Sequence, residues 1–118
     1  KQGYHPRKGA TFEQDCANYF EERGCDVIRK RPHGKNDQGD LHGVTFNGRK
    51  VTVECKNKKR MELSEWLDEA ESERINDGGD FCIVIHKRKG KGTKNFGETY
   101  VTMTLDTFCE MGNSFKKS

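Results

Sequence analysis

Three short segments hold residues whose types and spacing suit metal-assisted phosphodiester hydrolysis: Glu13 in KGATFE, Asp40 in QGDLHGV, and the Glu54-Cys55-Lys56 triplet of KVTVECKNKK. Carboxylate oxygens select a hard cation such as Mg²⁺ or Mn²⁺, which keeps several waters and can bind a phosphate oxygen directly. Such an ion would activate a water and offset charge in the pentavalent transition state, while Lys56 would orient the nucleophile or stabilise the phosphorane. The backbone carbonyl of Cys55 is a candidate extra ligand, and Glu13 would complete the shell directly or through water. Each residue also has a plain reading: Asp40 as a turn residue after Gly39, Glu54 and Lys56 as a surface ion pair, Glu13 as a helix N-terminal charge. Against the plain reading, Val51, Val53 and Cys55 alternate as the buried face of an inner strand, where neighbouring charges are costly unless used.

The elements that must position these residues can be read from periodicity and punctuation. Residues 11 to 23 read as a helix, with Thr11 and Gln14 as a capping box, Phe12, Cys16, Tyr19 and Phe20 on one face, and Gly24 as the stop. A strand over 25–31 is interrupted by Pro32 and the polar loop HGKNDQG. Strands over 40–46 and 50–56 are joined by Asn47-Gly48, a dipeptide suited to the positive φ angles of a tight hairpin. That turn pairs residues whose indices sum to about 95, so Asp40 and Glu54 fall at the same end of the ladder and converge on one cation. Lys56, two residues on, shares the face of Glu54.

Ser64 caps a second helix running to about Asn76, with Trp66, Leu67, Ala70 and Ile75 apolar, acids mostly between them, and NDGG as the stop. Phe81 to His86 is a strand, 98–105 an alternating strand, and a last helix after Leu105 packs Phe108 and Met111 inward. The order αβββαββα predicts an α/β sandwich around a mixed sheet.

At 118 residues with 31% hydrophobic and 35% charged residues, the chain fits one domain with a thin core, which a dimer partner would supplement. The net charge is only +3, but its distribution is uneven. Basic groups gather at Arg29, Lys30, Arg31 and Lys35, at Lys56, Lys58, Lys59 and Arg60, and at Lys87, Arg88, Lys89, Lys91 and Lys94, whereas acid collects between Glu62 and Asp80. Segregated basic clusters beside a candidate metal site favour a polyanion partner; alone they would equally be solvated lysines. The loop 87–97 is basic and glycine-rich and is expected to be flexible, fitting itself to DNA. His33 is a candidate phosphate contact or proton carrier, with simple solvation as the alternative, and His42 shares the face of Asp40. Five cysteines without CxxC spacing, no signal segment and no long apolar run predict reduced thiols, a cytoplasmic location and no membrane association. The sequence starts at Lys1 rather than Met, which leaves open a longer native chain.

Taken together, Lys8-Gly9 with Glu13 in KGxxxE, then Gly24 and Arg29, then Asp40, then Glu54-Cys55-Lys56, resemble the PD-(D/E)XK nuclease superfamily. Within it the chain is similar to the Holliday junction resolvases of archaeal type, which also occur in phages. The resemblance covers residues 8 to 57 well and the remainder in element order. It implies a single nuclease domain over 1–118 with an N-terminal arm at 1–10 and a restriction-endonuclease-like αβββαβ core. It further implies Glu13, Asp40 and Glu54 as metal-binding, Lys56 as catalytic, and Lys8 and Arg29 near the DNA backbone. The implied assembly is a Mg²⁺- or Mn²⁺-dependent homodimer without a nucleotide cofactor that cuts two symmetric strands of a four-way junction, in a host cytoplasm if phage-encoded. Two departures bear on substrate: His33 stands before Gly34 where those resolvases often carry serine, and the helix after the triplet offers WLDEAE where they often carry glutamine. A general or sequence-specific endonuclease or nickase of the same core, and a catalytically silent DNA-binding module, are the alternatives.

Overall fold

The computed structural model describes residues 8–30 and 39–113, with side chains from residue 11. The elements are α1 (Lys8–Glu22), β1 (Ile28–Arg29), β2 (Leu41–His42), β3 (Thr45–Phe46), β4 (Arg49–Lys56), α2 (Leu63–Asp77), β5 (Phe81–His86), a 3₁₀ helix (Thr93–Glu98), β6 (Tyr100–Thr102) and α3 (Leu105–Asn113). A mixed four-stranded sheet runs β3-β4-β5-β6, with β4 and β5 parallel and the other neighbours antiparallel, while β1 and β2 form a separate ribbon. Parallel strands need a long crossover, and α2 supplies it.

β4 and β5 are buried on both faces, and their alternation sorts the core into two layers. Val51, Val53, Cys55, Phe81, Ile83 and Ile85 pack with Phe12, Cys16 and Ala17 of α1. On the other face, Cys82 and Val84 pack with Trp66 and Ala70 of α2. The hairpin register is the one expected from Asn47-Gly48: Thr45 pairs with Lys50 and Phe46 with Arg49, and both turn residues have positive φ.

Several boundaries differ from the sequence reading. α1 begins at Lys8, so Thr11 lies inside the helix rather than capping it. The expected strand over 40–46 is split into β2 and β3, because at Gly43 (φ +106°) the chain passes so close to the Asp26 carbonyl that any side chain would clash. α2 is preceded by Glu62, without a side-chain cap from Ser64. The strand expected over 98–105 is only Tyr100–Thr102, and the segment read as a basic loop contains the 3₁₀ helix, whose Phe96 ring lies 5.7 Å from those of Phe12 and Tyr19. Met111 packs against the core but Phe108 and Ile75 are exposed. The N-terminal arm up to residue 7 and the Arg31 end of the strand expected over 25–31 lie outside the described residues.

Asp77 ties the end of α2 to the sheet. Its buried carboxylate accepts from Lys30 Nζ (2.9 Å) and Thr52 Oγ1 (2.7 Å) and lies 3.1 Å from Lys50 Nζ. Burial alone would raise its pKa, but Lys30, Thr52 and Lys50 outweigh that and hold it below the usual 3.8. A carboxyl with a depressed folded pKa stabilises the fold above its unfolded value and loses that contribution as pH falls through the folded value. Asp77→Asn should therefore cost about 3 kcal/mol at pH 7, by removing the carboxylate to which Lys30 and Lys50 are both bonded. In urea denaturation the gap between wild type and Asp77→Asn should narrow as the pH is lowered below 3.8; a pH-independent gap would contradict this account.

Candidate active site and cationic cleft

Gly39 brings the chain against β4: with φ +93°, an added Cβ would lie 3.0 Å from both Thr52 Cγ2 and the Val53 carbonyl. Asp40 is then fixed from two sides. Its amide donates to Val53 O (2.8 Å), and the Cys55 amide donates to Asp40 Oδ2 (2.7 Å). The carboxylate thus rests on the peptide that joins Glu54 to Cys55.

Glu54 projects from β4 toward α2 and is only 5% exposed. Its Oε2 lies 3.1 Å from Lys56 Nζ, which is also 2.8 Å from Glu69 Oε1. Its Oε1 is buried and has no hydrogen-bond donor. One ligand oxygen from each of Glu54, Glu69 and Glu73 lies within 4.8 Å of the others. Burial is the main reason the Glu54 pKa is raised; contact with Glu73 and the charge of Lys56 oppose the shift, and Glu69 adds to it. Burial works against the Lys56 ammonium, but Glu69 and Glu54 together raise its pKa well above the usual lysine value, so it stays charged.

Glu13 lies on the other side of β4. Its carboxylate is paired with Arg29 Nε at 3.0 Å. With Asp40 it faces the Cys55 thiol, whose pKa is pushed up first by its hydrogen bond with Cys16, then by burial, and further by Asp40 and Glu13. The sequence-derived carboxylates are thus distributed about one strand, Asp40 and Glu13 toward Cys55, Glu54 toward α2.

Sequence reading missed Glu69 and Glu73. The signal was present: Glu73, 2% exposed, follows Trp66 and Ala70 at helical spacing and so occupies an apolar-face position, whereas the sequence reading took the acids of α2 only as filling the positions between its apolar residues.

Beyond Lys56 a cleft of about 700 Å³ opens, lined by Lys56, Lys58, Lys59, Lys87, Arg88 and Lys89 around Trp66, His86 and Tyr100. Basic residues thirty positions apart meet there because β4 and β5 run in register, Lys56 beside His86, and leave the sheet at the same end. The His86 ring centroid is 5.5 Å from both Trp66 and Tyr100, and Arg88 stands 5.2 Å over Tyr100. His86 Nε2 is 2.7 Å from Thr102 Oγ1, and burial lowers the pKa of the ring, keeping it neutral at pH 7. Arg88 and Lys91 are partly neutralised by Glu98. His42 is exposed. Arg31, His33, Lys35 and the side chain of Lys8 lie outside the described residues.

A mixed sheet flanked by helices, with Asp40 seated on the Glu54-Cys55 peptide and Lys56 one step further on, defines a restriction-endonuclease-like fold. The sequence model of the archaeal Holliday junction resolvase (Hjc) family matches residues 4–77, and the chain belongs to that family, a resolvase-type nuclease branch of the PD-(D/E)XK superfamily. No curated protein and no solved structure matches it significantly.

Lys56 is the cation that Glu54 and Glu69 share. Lys56→Met should cost roughly 3 kcal/mol at neutral pH, since it strands a buried carboxylate. Glu54→Gln, which removes the charge instead, should cost clearly less. Equal losses in chemical denaturation would show that the pair contributes through packing rather than charge.

Proposed function

We propose that this chain is a divalent-metal-dependent, structure-selective DNA endonuclease that resolves four-way junctions as a homodimer. The observation that carries the reading is Glu54: a buried carboxylate with one oxygen lacking any donor, beside a charged lysine, at the strand end that opens onto a cationic cleft. A protein rarely buries such a group without use for it. The residues fit a hard cation, because the donors are carboxylates and the local charge is negative even with Lys56 counted.

The resemblance supports Asp40 and Glu54 as holders of the ion, with the Cys55 carbonyl and Glu13 as further ligands; because Glu54 faces α2 while Asp40 and Glu13 face Cys55, Glu54 would have to turn around the strand to join them. Mg²⁺ or Mn²⁺ would supply water activation and charge neutralisation at the phosphate. Lys56, kept protonated by its two glutamates, places a positive charge where a phosphodiester would lie. Asp40, held by the Cys55 amide, needs no rearrangement to present its carboxylate. The cleft tracks the strand away from this point through Lys58, Lys59, Lys87 and Lys89, which are exposed. Family membership supports branched DNA as the substrate, and a homodimer would bring two such sites to the symmetric strands of a junction.

Cleavage of a labelled immobile four-way junction and of a linear duplex, with Mg²⁺, Mn²⁺ or EDTA, tests this. Paired symmetric nicks should appear in the junction alone and disappear in Asp40→Asn and Glu54→Gln, which retain junction binding. Equal cutting of both substrates would make the protein a general endonuclease, and tight binding without cutting would make it a silent DNA-binding module.

Phosphate contacts release counterions, so the cleft makes a second prediction. Lys58→Ala and Lys89→Ala should each lower junction affinity at physiological salt and reduce the slope of log affinity against log salt by about 1. Unchanged slopes in both variants would place the DNA elsewhere.

A further inference from the structure

The cleft beyond Lys56 combines two chemistries that a duplex backbone alone would not use. Five lysines and Arg88 line it, and its described lining residues include no aspartate or glutamate. Between these cations the lining is apolar: Trp66 and His86 are buried, whereas Met61 and Tyr100 stand 58% and 44% exposed. The charge selects an anion, and exposed aromatic and thioether side chains select something with a flat apolar face. Nucleotides of a single strand offer both, because every base has a π-face once it is unpaired and unstacked.

Size points the same way. A volume of about 700 Å³ falls within the range of small-molecule pockets, roughly 300–1,000 Å³, whereas the major groove of a duplex alone is about 12 Å wide. A duplex laid over the mouth would meet the lysines and leave Tyr100 unused. The Tyr100 ring is braced for stacking: it packs on His86 and His86 packs on Trp66, each pair of centroids 5.5 Å apart. The Arg88 guanidinium lies 5.2 Å over the Tyr100 ring and supplies a further plane on which a base can rest.

We propose that the cleft takes an unpaired DNA nucleotide, its base stacked on the Arg88–Tyr100 pair beside Met61 and its phosphates held by the surrounding lysines. The inference rests on the junction-cutting reading and gives it a means of choice. In a duplex both faces of each base are covered by their neighbours, so a free face is offered only where stacking is interrupted, as at the open centre of a four-way junction. The cations then attract any DNA, and Tyr100 with Arg88 supplies the preference for a branch.

Binding of a fluorescein-labelled thymidine tetranucleotide and of its abasic counterpart, which carries the same phosphates, tests this by anisotropy in EDTA. The wild-type chain should bind the thymidine form about tenfold more tightly, the scale of one base stacked on an aromatic ring. Tyr100→Leu should lose that preference while keeping the salt slope for the abasic form, and Tyr100→Phe should retain it. Arg88→Gln, which leaves the contact between Tyr100 and His86 in place, should reduce the preference severalfold. Equal affinity of the wild type for the two tetramers, or a preference that survives both Tyr100→Leu and Arg88→Gln, would overturn the slot while leaving the nuclease reading intact. A preference that these variants abolish, in a protein that cuts no junction, would uphold the slot and overturn the resolvase reading.

Discussion

β4 must be buried on both faces yet carries polar groups on one of them, and this constraint organises the structure. Its α1 face is ordinary: Val51, Val53 and Cys55 meet Phe12, Cys16 and Ala17. Its α2 face presents Thr52 and Glu54, both almost fully inaccessible, and a buried polar group costs free energy unless matched. α2 therefore cannot be a simple amphipathic helix. It divides its inward surface between an apolar patch of Trp66 and Ala70 against β5 and an acidic stripe of Glu69, Glu73 and Asp77 against β4. The helix is held down by charge at both ends of that stripe, by Lys30 and Lys50 at Asp77 and by Lys56 at Glu69.

The same arrangement sets the direction of the chemistry. Parallel β4 and β5 end side by side, and in open sheets the carboxyl ends of parallel strands are where ligands collect. Here the ends carry Lys56 and His86, and the segments that follow them bring Lys58, Lys59, Lys87, Arg88 and Lys89 to one cleft. Acid lies beneath the last turn of β4 and base lies beyond it. Lys56 stands at the boundary, its positive charge secured from below by Glu54 and Glu69.

The parts of this design that were legible in the sequence are those fixed by local stereochemistry. Asn47-Gly48 set the hairpin register because few other residues accept positive φ at both positions, and that register correctly put Asp40 level with the Glu54-Cys55 peptide. Gly78, in the left-handed conformation, ends α2 as NDGG implied. Tertiary contacts hid the rest. The break at Gly43 arises from a neighbouring carbonyl of a different segment, and no periodicity signals it. Phe108 was expected inside together with Met111, but α3 packs through Met111 and leaves Phe108 exposed. Glu73 was missed for the opposite reason: a charged residue on an apolar stripe looks like noise in a pattern, when it faces another buried carboxylate on the preceding strand.

The family match ends at Asp77, the last residue of α2, and so covers only part of the site. Asp40, Glu54, Lys56 and the acidic stripe of α2 all lie inside it, whereas the far wall of the cleft, from His86 to Tyr100, lies outside. Catalytic groups are constrained by the phosphodiester, which is the same in every DNA, but the wall that guides a strand is constrained by the shape of the particular substrate. Lys87, Arg88 and Lys89 sit on a connection whose 3₁₀ helix is anchored to α1 through Phe96 and whose charge is trimmed by Glu98. The β5–β6 connection is thus the part of the cleft that can vary without disturbing Asp40, Glu54 and the acidic stripe of α2.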